Sequence, residues 1–174
     1  MGVQELCMIR RCTTADVPVI DSIINEAAAK YRGVIPADCW HEPYMSRAEL
    51  EREIAAGVNF SVWDERGELV GVMGVQRVKD ATLIRHAYVR AAQQGKGIGG
   101  KLLDALGSQV HGRLLIGTWA DATWAIRFYQ GRGFRLVPPD EKNRLLDTYW
   151  SIAPRQRETS VVLTREQDGF EPGA

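Results

Sequence analysis

The chain has 174 residues, which suits one domain with a sizeable core. Its 45% hydrophobic and 25% charged residues are the mix of an ordinary globular protein. Lysine plus arginine balance aspartate plus glutamate at 22 each, so net charge gives no reason for nucleic acid or an anionic membrane to be the main partner. No apolar run approaches the ~20 residues that span a bilayer. Arg10 and Arg11 follow only a short mixed segment, which is not a signal-peptide core. Cys7, Cys12 and Cys39 cannot all pair and show no metal-ligand spacing. A reducing cytoplasm, buried or half-buried thiols and no bound metal are the expectations.

Residues 1–7 read as a loose leader and 8–12 as a first strand. Thr13-x-x-Asp16 then resembles a capping box, with Pro18 allowed in the first helical turn. Val17, Ile20, Ile23, Ile24 and Ala27 line one face of the helix that follows, and Gly33 supplies its C-terminal stop. Residues 34–44 hold two prolines and no period, so they form a loop or a broken helix; Trp40, His41 and Tyr44 there are placed to line a cleft. Ser46-x-x-Glu49 opens a short helix to Ala56, stopped by Gly57. Residues 59–63, 69–76 and 82–89 read as strands, joined by turns at 64–68 and at Lys79-Asp80. Such short links give an antiparallel meander.

The next stretch, Gln93-Gln94-Gly95-Lys96-Gly97-Ile98-Gly99-Gly100-Lys101, joins that last strand to a run with Ile98, Leu102, Leu103, Leu106 and Val110 at helical spacing. Strand, glycine-rich turn and helix present free backbone N–H groups and the positive end of a helix dipole to an anion. Glycines remove the Cβ that would hold the anion off, and Lys96 and Lys101 add charge. The stretch is a phosphate cradle. Gly95-x-Gly97-x-x-Gly100 formally satisfies a dinucleotide fingerprint, but no repeated βαβ pattern precedes it. Gly95-x-x-x-x-Gly100-Lys101 satisfies most of a Walker A loop, but Leu102 stands where a hydroxyl would hold magnesium.

Beyond the cradle helix, residues 113–119 form a short apolar strand. Residues 122–134 then put Trp124, Ala125, Phe128 and Tyr129 on one helix face, with Gly133 ending the helix. Asp140 to Trp150 has helical character, Pro154 breaks it, 161–163 make a last strand, and 168–174 are a polar tail.

Two of these stretches carry a family likeness. Val89-x-x-x-x-Gln94-Gly95-Lys96-Gly97-Ile98-Gly99 resembles motif A of the GCN5-related N-acetyltransferases (GNAT), Gln/Arg-x-x-Gly-x-Gly/Ala after a strand. Ala122-Thr123-Trp124-Ala125-Ile126-Arg127-Phe128-Tyr129 with Gly133-Phe134 resembles their motif B, Asn-x-x-Ala-x-x-Phe-Tyr-x-x-x-Gly-Phe, departing from it only at Ala122. The motifs occur in the right order, one helix and one strand apart, and the likeness covers roughly residues 8–163. It implies an α/β (α+β) GNAT fold: a mixed, mostly antiparallel sheet splayed at its centre and flanked by helices. The whole chain, 1–174, is then a single domain with its core at 8–164.

The resemblance also implies chemistry. Acetyl-CoA would be the cosubstrate, with no metal. Its pantetheine arm would extend the sheet edge near Tyr88 and Val89, and its pyrophosphate would sit on the backbone N–H groups of Gln94, Gly95, Lys96, Gly97, Ile98 and Gly99, next to Gly100 and Lys101. The helix bearing Ala125, Phe128 and Tyr129 would pack along the cofactor. The acetyl group would pass to a primary amine of a small molecule or peptide by direct attack, with a strand-edge N–H stabilising the oxyanion. Tyr129, at the motif B tyrosine, would protonate the departing thiolate; alternatively it only packs against the cofactor.

Family members often place a glutamate base on the strand before either motif, and neither strand has one here. His86 is the only conventional base on them, with a suitable intrinsic pKa; a water chain would serve equally. Period-two alternation puts His86 and Tyr88 on one face, and Arg85 and Ala87 on the other, unless a bulge at the splay reverses this. Trp119, Trp124 and the Trp40/Tyr44 loop are candidates for an acceptor pocket. Ala122 removes the usual asparagine contact to pantetheine. A non-catalytic acyl-CoA sensor is the alternative from another class. The resemblance allows a homodimer, and no sequence feature requires one.

Overall fold

The computed structural model describes residues 7–167; the leader before Cys7 and the tail from Asp168 lie outside them. Among the described residues seven strands form one sheet in the order β1-β2-β3-β4-β5-β7-β6. They are β1 (Cys7–Arg11), β2 (Asn59–Glu65), β3 (Glu68–Val78), β4 (Ala81–Val89), β5 (Gly112–Trp119), β6 (Arg135–Leu136) and β7 (Ser160–Gln167). The helices are α1 (Val17–Ala28), α2 (Arg47–Ala55), α3 (Ile98–Gly107), α4 (Thr123–Gln130), α5 (Pro139–Tyr149) and α6 (Pro154–Thr159). β1–β2, β2–β3, β5–β7 and β6–β7 pair antiparallel, and β4–β5 pairs parallel. This is the mixed, mostly antiparallel sheet the family likeness implies.

Local chemistry explains the elements. The β2–β3 hairpin turns on Arg66 and Gly67, both at positive φ (56° and 90°), as a two-residue turn between twisted strands requires. The Asp64 side chain accepts from the Gly67 N–H at 2.7 Å. The Ser46 side chain caps α2 through the Glu49 N–H. α5 ends at Tyr149, ahead of Pro154, which therefore does not break it. Pro154 instead stands in the first turn of α6, where its missing N–H costs nothing. The motif B helix is shorter than its pattern suggests, ending at Gln130, and Gly133 at φ 84° turns the chain toward β6.

The chain divides into two compact units, each with its own core. The first runs through Ala29, His41–Val75 and Arg85–Leu106. Here Ile20, Ile23 and Ile24 of α1 and Leu50 of α2 pack on Phe60 and Val62 of β2 and Val72 of β3. The apolar face of α1 is the one its spacing dictates. The second unit comprises Lys30–Trp40, Gln76–Ile84 and the described residues from Gly107 on. There Leu83, Leu115 and Val162, from three strands, bury against Leu145 and Leu146 of α5. Gly117 on β5 leaves room for the Trp150 indole, which would lie 3.3 Å from an added Cβ.

One buried carboxylate ties β1 to the segment after it. Asp16 accepts from the Thr13 N–H at 2.7 Å and from Arg10 Nη1 and Nη2 at 2.8 and 3.1 Å, and Arg10 Nε also bonds Asp64 of β2. The Arg10 hydrogen bond, outweighing desolvation, holds the Asp16 carboxyl far below the ordinary carboxylate range. The unfolded chain therefore binds this proton at a higher pH than the folded one. The stabilisation is fully present above about pH 3.9 and is lost as pH falls toward the folded value. Asp16→Asn is expected to lower stability at neutral pH by about 1–3 kcal/mol, the scale of charge-assisted hydrogen bonds. It should also flatten the acid decline below about pH 4. Urea unfolding of both chains across that range measures each effect.

Candidate active site

The glycine loop and the part of β4 that feeds it, from Arg85 on, lie in the first unit. After β4 a 3-10 turn, Ala91–Gln93, leads into Gln94, whose N–H donates to Ala91 O and whose side chain donates to Val89 O at 3.0 Å. Gln94 thus braces the loop. Gly95 and Gly97 follow at φ 81° and 80°, a backbone that side chains with a Cβ enter only at a cost. The space around both is open. Gly97 O accepts from the Lys101 N–H, closing the first turn of α3. The N–H groups of that turn lack intrahelical partners by geometry, and the turn holds no acidic residue. Gln94 to Gly97 are exposed, whereas Ile98 and Gly100 are buried.

Ile98 anchors the loop. An added Cβ at Gly71 of β3 would lie 3.0 Å from its Cγ2 and 3.3 Å from Leu102, so Gly71 lets α3 settle against the sheet. The Lys96 ammonium bonds the Gln93 side chain at 2.8 Å, and that of Lys101 lies 5.4 Å from the Trp63 ring. Arg90, just past β4, donates to Leu69 O and to Glu26 of α1. These contacts hold a cradle of exposed N–H groups, one helix end and two lysines, which fits a phosphate group.

β4 changes character midway. Ala81–Ile84 pair in parallel with Arg113–Ile116 of β5, and the recorded register ends at Ile84. His86 then adopts φ 52°, a left-handed backbone uncommon outside glycine, with histidine among the residues enriched there. Strict alternation therefore fails at the point where the sequence allowed for a bulge. Arg85 and His86, neighbours that should face opposite ways, both bond Glu53 of α2: Arg85 Nη2 reaches Oε1 at 3.1 Å, and His86 Nε2 pairs with Oε2. Gly74 of β3 makes room, since a Cβ there would meet Arg85 O at 3.0 Å and Val58 Cγ1 at 2.8 Å. Tyr88 packs at the edge of the first core. Sequence reasoning sought an acid on the strands and so missed Glu53; its helical position gave no signal that it would reach β4.

Cys12 is half-buried, Cys39 buried and Cys7 exposed, and all three are free thiols. Burial pushes the Cys12 thiol above its ordinary value, which disfavours the thiolate. A cavity of about 700 Å³ in this unit is lined by Cys12, Thr13, Arg47, Ile54, Val58 and Phe60; it does not include the glycine loop. Among the described residues no group of three or more His, Cys, Asp or Glu is arranged to hold a metal, and no helix is long and apolar enough to cross a membrane.

In the second unit, α4 places Tyr129 inside, 7% exposed, with Phe128 and Phe134 edge-on at 5.1 and 5.8 Å. Burial, reinforced by Tyr31, raises the Tyr129 phenol well above its ordinary value. Phe128 and Ala125 are half-buried. Ala122 is fully buried at the N-terminal cap of α4. Trp124 stacks on Tyr31 at 5.8 Å with the Lys30 ammonium 4.5 Å from its ring, and Arg32 lies 5.6 Å from the Trp40 ring. Trp119 is buried. Tyr44 packs on the core of the first unit.

Comparison with known proteins matches residues 23–147 to the model of the acetyltransferase (GNAT) domain. The chain is 26% identical over 132 residues to the peptidyl-lysine N-acetyltransferase YiaC of Escherichia coli, covering 75% of this chain and 84% of that one. Among solved structures, the PaiA N-acetyltransferase of Thermoplasma acidophilum, in complex with coenzyme A, has TM-score 0.69 at 15% identity over 92% of this chain and 99% of its own. A GNAT-family acetyltransferase of Staphylococcus aureus has TM-score 0.69 at 16% identity, covering 91% and 98%. N-acetylglutamate synthase of Neisseria gonorrhoeae, complexed with coenzyme A and N-acetyl-glutamate, has TM-score 0.64 at 21% identity over 94% of this chain. The chain spans only 36% of that enzyme's length.

Gly97→Ala is expected to destabilise the fold by about 1–2 kcal/mol through the positive φ. Gly74→Ala is expected to cost about 1–3 kcal/mol, because an added Cβ meets a backbone carbonyl on one side. Denaturant midpoints of the two variants test the loop and the bulge separately.

Proposed function

The chain belongs to the GNAT family of acetyltransferases, and from that premise we propose that it transfers the acetyl group of acetyl-CoA to a primary amine of a small molecule or peptide. The glycine loop carries this reading: Gly95 and Gly97, both at positive φ, lead directly into α3, and a diphosphate matches exposed N–H groups with no carboxylate in that turn. Gly95 to Gly100, with Lys96 and Lys101, would hold the pyrophosphate; the β4 edge at Tyr88 and Val89 would align the pantetheine arm. Solved neighbours that carry coenzyme A or bound acetyl-CoA support this cosubstrate. The peptidyl-lysine acetyltransferase relative supports a peptide amine as acceptor.

Bound acetyl-CoA supplies an activated thioester carbon. The protein's part is to bind, orient and move protons. His86, on the bulge of β4, takes the proton of the acceptor nitrogen; a neutral imidazole offers one nitrogen lone pair for that transfer. Tyr129 supplies a proton to the departing sulfur. A tyrosine phenol is protonated at neutral pH, as an acid must be before the step, and burial moves this one further in the same direction. Ala125 and Phe128 give the same helix an apolar flank.

Thermal stability with acetyl-CoA, magnesium-ATP or NADH at equal concentration tests the cradle. A ligand at ~100 times its dissociation constant adds about 2.7 kcal/mol, and acetyl-CoA alone is expected to do so. An amine and peptide screen read by thiol release then tests turnover. Tyr129→Phe is expected to lower turnover on the order of 10²-fold with acetyl-CoA stabilisation retained. Stabilisation by acetyl-CoA without turnover of any amine would favour a sensor; stabilisation by ATP or NADH instead would overturn the cradle's assignment.

A further inference from the structure

Glu53 serves two neighbours at once. It lies near the end of α2, its side chain 18% exposed, and it meets His86, 14% exposed. The remaining carboxylate oxygen takes the Arg85 guanidinium at 3.1 Å. The Phe60 ring of β2 lies tilted at 6.0 Å from the imidazole, giving it one apolar wall. Glu53 is the charged group bonded to this ring, and Arg85 shares its carboxylate.

The chemistry of the pair fixes a proton. An ionised carboxylate only accepts hydrogen bonds. Burial opposes charge on Glu53; the His86 hydrogen bond, the charge of His86 when it is protonated and the Arg85 guanidinium favour it, and the carboxyl is held below its ordinary range. The hydrogen between Glu53 and His86 therefore sits on Nε2. A neutral imidazole has one N–H, so its lone pair is on Nδ1. Among the described residues Nδ1 has no hydrogen-bond partner, and it is not among the buried polar atoms lacking one, so it keeps access to solvent.

We propose that Glu53 is the positioning residue of the acetyl transfer: reaching from α2 to the β4 bulge, it holds His86 in the Nε2–H tautomer and leaves Nδ1 as the atom that accepts the amine proton. This rests on the acetyl-transfer reading above and adds to it a residue and an atom. As the amine nitrogen bonds the acyl carbon, its proton passes to Nδ1, the carbon–sulfur bond breaks, and the sulfur takes the Tyr129 proton to leave as the thiol. Solvent exchange returns the proton from the imidazolium to the phenolate. Glu53 faces the imidazolium and stabilises it, the part a carboxylate plays beside a histidine base.

The test is ¹⁵N-histidine NMR on the full chain at a pH above the histidine transition. The three histidines, His41, His86 and His111, are assigned with His86→Gln. The expected result is wild-type His86 protonated on Nε2 alone, with Glu53→Leu driving it toward a tautomer mixture. Glu53→Gln should keep much of the bias, since its amide oxygen still accepts. With a lysine peptide as probe, thiol release should fall roughly 100-fold in Glu53→Leu, the lower end of what a positioned base contributes. The Michaelis constant for acetyl-CoA should be unchanged. Wild-type His86 protonated on Nδ1 overturns the proposal without recourse to any variant. So does a Glu53→Leu protein with wild-type tautomer and rate. Absence of both acetyl-CoA stabilisation and thiol release, with the Nε2–H tautomer present, overturns it through its premise.

Discussion

The backbone of His86 is the constraint on which the first unit's chemistry depends. A β-strand repeats every two residues, so Arg85 and His86 cannot both reach one partner while the strand is regular. At φ 52° the repeat is broken, and both side chains turn to Glu53. A left-handed histidine costs on the order of 1 kcal/mol; charge-assisted hydrogen bonds are each worth about 1.5–3 kcal/mol, enough to offset it. Gly74 removes the side chain that would collide with the displaced Arg85 carbonyl. Strain at one residue is thus held by a carboxylate from a helix and a gap from the neighbouring strand.

The glycine loop rests on a comparable division of labour. Its exposed residues supply backbone geometry, and its buried ones supply position. Gly95 and Gly97 take the positive φ values, while Ile98 and Leu102 lock α3 against Gly71. Gln94, counted as an N–H donor by motif, has its own N–H in the preceding turn and its side chain on Val89. It shapes the loop from within.

The motif B helix follows another logic. Tyr129 lies between two aromatic rings, and burial dominates its electrostatics. Ala122, standing where the family pattern has asparagine, is fully buried. An amide there would need a partner to offset its desolvation; alanine needs none.

Periodicity and punctuation in the sequence determined the meander, the cradle and its helix, and the motif B helix, because each depends on contacts within a few residues. The Thr13–Asp16 and Ser46–Glu49 caps, the turn at Lys79-Asp80 and the glycines of the loop are local devices of that kind. The two motifs also carried the family, since their spacing records a whole strand and helix. Tertiary structure alone decided the partner of His86. Glu53 lies 33 residues away in sequence, on a helix whose charged residues look alike, and only packing of α2 on the strands distinguishes it. The same holds for Pro154, which opens α6 only because the preceding segment approaches it in extended form. Long-range contacts leave no period in the chain, so the residue that orients the candidate base could not be read from it.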